Sequence, residues 1–149
     1  MQKSQFSFLG YRISRFKCEI ADTFSKEKET FSQMINIKDN FDKKDNRFVE
    51  VIMNVDVKTK SKTFLFSLEI KGAFKASEKM TDELFIKLSK HNAPAILFPF
   101  ARALIASCTA QANIPAVVLP IINLSGVSPD KIDKDTMKKK TKTTKRLKK

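Results

Sequence analysis

"RFVEVIMNVDVKTKSKTFLFSLEIKGAF", residues 47–74, decides the fold. Val49, Val51, Met53, Val55 and Val57 occupy alternate positions, and Phe64, Phe66, Leu68 and Ile70 repeat the pattern further on. Successive side chains of a strand point to opposite faces, so each set lies on one face. The link between them, "KTKSK" (58–62), is short and polar, which predicts an antiparallel hairpin with one apolar side. A sheet with one apolar side has to be covered.

Working towards the N-terminus, "FSQMINIKDNF" (31–41) reads as another strand, with Phe31, Ile35, Ile37 and Phe41 on one face. "FSFLGYRISRFKCEI" (6–20) is rich in aromatic and β-branched residues and reads as one or two strands, with Gly10 marking a bulge or bend. "ADTFSKEKET" (21–30) is a polar connection between them.

Working towards the C-terminus, the period changes. "TDELFIKLSK" (81–90) predicts a short helix, with Asp82 and Glu83 in the first turn, where carboxylates meet the positive end of the helix dipole. The next stretch, "NAPAILFPFARALIASC" (92–108), opens an uncharged region. Between Asn92 and Pro129 the one charged side chain is Arg102, in a chain with 30% charged residues. Leu97, Ala101, Leu104, Ile105, Cys108 and Ala112 fall at helical spacing on one stripe, and Ala103, Ala106 and Ala110 on a second. A helix with two packable sides belongs between two layers, and one sheet supplies a single layer. The other layer is expected to be another copy of the chain, with Leu97, Ala101, Leu104, Ile105 and Cys108 as the oligomer interface. Pro94 suits the first turn of this segment, where a missing N–H costs nothing, and Pro99 predicts a kink or a break into two segments. "IPAVVLPIINL" (114–124), with Pro115 and Pro120, is expected to be extended and pinned against other elements.

Length and composition set the bounds. A chain of 149 residues with 42% apolar residues makes one domain with one core. The formal net charge of +13 is uneven, because "KKKTKTTKRLKK" (138–149) holds eight basic residues and no acid. Without it, 21 basic face 16 acidic residues, or +5. The tail has little to bury and repels itself, so residues 130–149 are expected to be a disordered, lysine-rich extension of a domain spanning 1–129. No basic-then-apolar leader and no run of ~18 uncharged apolar residues stands out, which predicts a soluble, cytoplasmic protein.

Chemistry is sparse. GxSxG, Walker A, GxGxxG and HExxH motifs are missing, and the chain has one histidine, His91, and three glycines. Asp39, Asp42 and Asp45 sit in a charged run and read as a solvated turn. Cys18 and Cys108 read as two buried thiols. No enzyme, no cofactor and no metal site is expected. The apolar residues are unusual in kind, with 13 Phe, one Tyr and no Trp. That is more apolar surface than one small core absorbs, so the excess is expected to form a subunit interface, a groove for apolar segments of other chains, or both.

"APAILFPFAR" followed by "ALIASCTAQANIPAVVLPIINL" resembles the signature region of the SecB family of bacterial protein-export chaperones. There an "ILFPYAR"-like motif on a helix leads into a "PPLNLPPVNF"-like segment. Phe100 stands here for the usual Tyr, and Pro115, Pro120 and Asn123 keep the Pro–x4–Pro–x2–Asn skeleton. "RFVEVIMNVDV" and "TFLFSLEIKGAF" resemble the family's second hairpin, and the likeness runs from about residue 6 to 125.

The resemblance implies an α+β fold in which a four-stranded antiparallel sheet packs against a long broken helix. It implies a homotetramer built as a dimer of dimers, with helices between sheets. It implies an ATP-independent holdase that keeps unfolded precursor proteins competent for export in apolar grooves. By position, the client-binding residues would be Phe31, Met34, Ile35, Ile37, Phe64, Leu68, Phe98 and Phe100. Typical members carry acidic residues that dock the export ATPase SecA; here Arg12, Arg15, Lys17 and Ser67 stand on those strands, so SecA does not follow as a partner. The usual apolar C-terminal helix is replaced by "SGVSPDKIDKDTM" and the lysine tail. Alternatives are a SecB-like chaperone of a non-export client such as an antitoxin, or a polyanion or nucleic-acid binder whose basic tail contacts anionic surfaces.

Overall fold

The computed structural model describes residues 5–120. Its elements are β1 (Phe6–Ile20), one 3-10 turn (Lys26–Lys28), β2 (Phe31–Phe41), β3 (Phe48–Thr59), β4 (Phe64–Ala76) and α1 (Asp82–Gln111). The four strands form one antiparallel sheet in the order β1-β4-β3-β2, and α1 packs on one face of it, chiefly against β4 and β3. This is the α+β layering that the alternating strand patterns demand. β1 and β2 lie at opposite edges, so residues 21–30 cross from one edge of the sheet to the other.

The β3–β4 hairpin is the centre of the core. Val49 faces Phe74, Val51 Gly72, Met53 Ile70, Val55 Leu68 and Val57 Phe66, and all of these are buried. Opposed residues of an antiparallel pair project to the same face, so the two period-two patterns sum to one apolar floor under the helix. Removing each such side chain from water is worth about 1.5–3 kcal/mol. The hairpin turn is fixed by Lys62 at φ 61 and by Thr59, whose Oγ1 accepts from the Phe64 N–H at 3.0 Å.

β1 is one strand with two irregularities, between Phe8 and Gly10 and between Ile13 and Arg15. Gly10 has φ +131, a conformation that side-chain-bearing residues rarely adopt, and this places the first bulge. The bulge keeps Phe8 and Tyr11 on the helix side of the sheet despite their odd spacing, since their partners are Phe74 and Gly72.

The break expected at Pro99 does not occur, and neither does the short separate helix at 81–90. Thr81 caps a single helix of 30 residues, accepting from the Leu84 N–H on its Oγ1 at 3.3 Å, and both prolines lie inside it. Pro94 is therefore well past the first turn. Each proline removes one intrahelical bond, to the carbonyls of Lys90 and Ala95. Both of those residues are exposed, while Pro94 itself is buried. The cost of about 3 kcal/mol per interior proline is offset by a continuous buried face of Phe85, Ala93, Leu97, Phe98, Ala101 and Ile105. By length and composition α1 is also apolar enough to cross a membrane, and here that buried face covers the sheet.

Leu97 of α1 packs directly onto the sheet at Gly72. A Cβ there would come within 2.6 Å of Leu97 Cδ2 and 2.9 Å of Phe74 Cε2. Beyond α1 the chain turns at Asn113, φ 62, and runs to Pro120 without regular secondary structure. Three hydrogen bonds pin it, as the sequence predicts for 114–124: Val117 N–H to Thr109 Oγ1 at 2.8 Å, Arg102 Nε to the Leu119 carbonyl at 2.7 Å, and Lys26 Nζ to the Ala116 carbonyl at 2.7 Å. Residues 121–124, Asn123 among them, and the basic tail fall outside the described residues.

Candidate functional site

A cleft of about 170 Å³ opens where the segment after α1 meets the start of β2. Lys26, Phe31, Gln33 and Val57 form one side, and Val117 to Pro120 the other. Phe31 is held from behind by an aromatic triad: its ring lies 6.1 Å from Phe24 and 5.7 Å from Phe64, and Phe24 lies 5.5 Å from Phe64. Val118 stands at the rim, 58% exposed. The cleft is thus mostly apolar, with a single cation, Lys26, whose ammonium is already engaged by the Ala116 carbonyl.

Gln33 is the exception in that lining. It pairs with Val57 and so points to the helix side of the sheet, among Phe31, Ile35 and Ile37. Both its amide nitrogen and its amide oxygen are buried, and among the described residues neither has a hydrogen-bond partner. A buried amide without partners is unfavourable unless something else satisfies it.

A second apolar surface lies along β1. Tyr11 and Phe16 are 44% and 45% exposed, and Ile13 is also exposed, although their partners Gly72, Leu68 and Ile70 are buried beneath the helix. The helix does not reach that far across the sheet. Phe100 covers the near end, with its ring 4.3 Å from Tyr11 and 6.0 Å from Phe8. The outward face of α1 is open as well: Ala95, Pro99, Ala103, Ser107 and Ala110 are exposed and uncharged.

The client-binding residues named from sequence divide between these places. Phe31 lines the cleft. Ile35 and Ile37 follow it along the same face of β2, Ile35 buried and Ile37 half-buried. Met34 projects from the other face, opposite Asp56, and is exposed. Phe64 and Leu68 are fully buried in the floor, and Phe98 is buried on α1. Phe100 is half-buried on the β1 side. The oligomer-interface residues divide too: Leu97, Ala101 and Ile105 are fully buried within the protomer, while Leu104 and Cys108 are half-buried. The exposed stripe that includes Ala103 and Ala110 is the part of the helix still uncovered.

Two polar readings change. Asp39 is not in a solvated turn; it lies within β2, pairs with Val51 and is half-buried, and Asp42 and Asp45 alone make the turn. Burial raises the pKa of its carboxyl against the lowering influence of Lys90 and His91. The thiols of Cys18 and Cys108 are half-buried and lie beside one another, and the Cys18 thiol is pushed up to about 11 by burial and by its neighbour. Sequence reasoning missed Gln33, Lys26 and the β1 surface. For Gln33 a signal was present, a polar residue at an inward position between Phe31 and Ile35.

The SecB family model, described as preprotein translocase subunit SecB, matches residues 14–134. The protein-export protein SecB of Anaplasma marginale is 31% identical over 94 residues, covering 61% of this chain and 54% of that protein. That of Rickettsia typhi is 38% identical over 81 residues, covering 52% and 53%. An uncharacterised protein of Methanocaldococcus jannaschii is 46% identical over 68 residues, covering 46% and 43%. The chain spans about half the length of the curated relatives it matches. Among solved structures, the Mycobacterium tuberculosis SecB-like chaperone Rv1957, in complex with a ChAD peptide from the HigA1 antitoxin, superposes with a TM-score of 0.65 at 14% identity, covering 79% of this chain and 88% of that one. The sheet order, the helix across one face and the match over 14–134 lead to one conclusion: this chain belongs to the SecB family.

Proposed function

We propose that this chain is an ATP-independent holdase that binds unfolded polypeptides in the cleft beside Phe31 and along the uncovered apolar surface, and keeps precursor proteins competent for export. The observation that carries this reading is apolar surface on the helix side of the sheet that the protomer leaves open, Tyr11, Ile13 and Phe16 on β1 and Val118 at the cleft. Apolar burial is non-directional, so such a surface accepts many sequences. Family membership and relatives named protein-export protein support the reading. So does a fold neighbour solved with a peptide from another protein. Phe31, Ile37 and Phe100 are its contact residues, with Ile35, Phe64, Leu68 and Phe98 supporting them from the core; Met34, on the outer face, lies away from both surfaces.

The exposed stripe of α1 is where a second copy packs, and the working assembly is a cytoplasmic homotetramer. Handover to SecA is not part of the proposal, since the outer face sets Arg12 opposite Lys71, Arg15 opposite Glu69 and Lys17 opposite Ser67. The test is light scattering from an aggregating unfolded client without nucleotide. Aggregation should be suppressed at about one tetramer per client; unchanged aggregation at equal molarity contradicts the proposal.

A further inference from the structure

We infer that Gln33 is the residue that reads polypeptide backbone in the cleft, its side-chain amide accepting from a main-chain N–H and donating to a main-chain carbonyl of an extended segment. The inference rests on the cleft being the polypeptide site proposed above. Gln33 carries one acceptor and one donor group on a planar amide, the same pair that a peptide unit presents. Both atoms lie buried beside the cleft, and among the described residues both are unpartnered. The rest of the lining is apolar apart from Lys26, an exposed ammonium with one donor on the Ala116 carbonyl and no acceptor, so no other lining side chain can accept from a main-chain N–H.

A neutral, unpartnered amide selects its ligand. An ion satisfies only one half of the amide and is desolvated at a cost in an apolar cleft, and a purely apolar ligand leaves the amide unsatisfied. A peptide unit matches both of its halves, and every polypeptide carries peptide units whatever its side chains. The apolar lining then holds side chains of any shape while one polar residue requires that the guest be an extended chain whose backbone is not already paired in a helix or sheet. Gln33 would thereby give the cleft a preference for unfolded over folded segments.

The entrance is the strap from Ala116 to Leu119, tied by Lys26 and Arg102. A segment entering the cleft displaces this strap enough to bring its backbone to Gln33.

The experiment uses the full chain and a fluorescein-labelled, unstructured 14-residue peptide of Leu, Phe, Ser and Lys, with anisotropy as readout. Wild type is expected to bind. Gln33→Leu, which keeps the volume and removes the amide, should weaken binding about tenfold, in line with the loss of two neutral hydrogen bonds. The same variant should raise the melting temperature, because it removes a buried amide without partners. A merely structural role would move stability and binding in the same direction. Peptides in which one backbone amide at a time is replaced by an ester complete the cycle. One position, whose N–H the ester removes, should lose about threefold on wild type and nothing on Gln33→Leu. Unchanged affinity of Gln33→Leu for the all-amide peptide, while wild type binds, overturns the inference and leaves the holdase reading standing. No binding by wild type overturns both. A peptide of residues 121–127 added in trans that occupies the cleft in a Gln33-dependent way reassigns the amide to the chain's own continuation and also overturns it.

Discussion

Lys26 Nζ donates to the carbonyl of Ala116 at 2.7 Å and so ties the crossover between β1 and β2 to the segment that follows α1. Lys26 is exposed, whereas Arg102, which holds the same segment through Leu119, is half-buried. The two ties therefore differ in strength. Lys26→Met should change stability by less than about 0.5 kcal/mol, as exposed charged contacts do. Arg102→Met should cost about 2 kcal/mol, the scale of a hydrogen bond to a charged group that leaves its partner unmet. Urea midpoints at unchanged slope measure both.

At Gly72 the helix leaves no room for a side chain on the sheet. Gly72→Ala should destabilise by about 1–3 kcal/mol, because the new methyl meets Leu97 Cδ2 at 2.6 Å in a packed core. Gly72→Ala combined with Leu97→Ala should cost less than the sum of the two single changes, since the second makes room for the first. Additive costs would mean that the helix does not press on the sheet at this point.

The Cys18 thiol gives a pH signature. Its pKa is pushed from the ordinary 9.0 to about 11, first by burial and then by the adjoining Cys108 thiol. Two units leave about a hundredfold less thiolate than an unperturbed cysteine carries at pH 8. Iodoacetamide should alkylate Cys18 correspondingly slowly in the native protein and at the ordinary rate in urea, with peptide mapping to separate it from Cys108. The linkage has a definite sign. The folded state holds this proton more tightly than the unfolded state, so the contribution to stability is complete below about pH 9 and is lost as the pH rises towards 11. Cys18→Ser should flatten that alkaline decline.

Much of this architecture could be read from residue patterns because local and global requirements agree. The alternation of Val49 to Val57 and Phe64 to Ile70 has a single outcome, and the hairpin follows. The helix was harder. Pro94 and Pro99 argue locally for a break, and what overrides them is the burial of Leu97, Phe98 and Ala101 against a sheet distant in sequence. The cleft was readable in part. Phe31 announces itself by phase, but its partners Val117 to Leu119 arrive only through the hydrogen bonds of Thr109, Arg102 and Lys26. Met34 shows the limit of composition, since an apolar residue one step out of phase ends on the outer face. Tyr11 shows the limit of phase, since the bulge at Gly10 resets which residues of β1 face the helix.

In the proposed mode of action, unfolded polypeptide occupies the cleft between Phe31 and Val118. Site-specific photo-crosslinking tests it most directly, with a photoreactive residue placed at Val118 on the rim and, separately, at Ser67 on the outer face of the sheet. Position 118 should capture a chemically unfolded client and leave the same client in its native form untouched, with position 67 capturing neither. Equal capture from both positions, or capture of native and unfolded client alike at position 118, would contradict it.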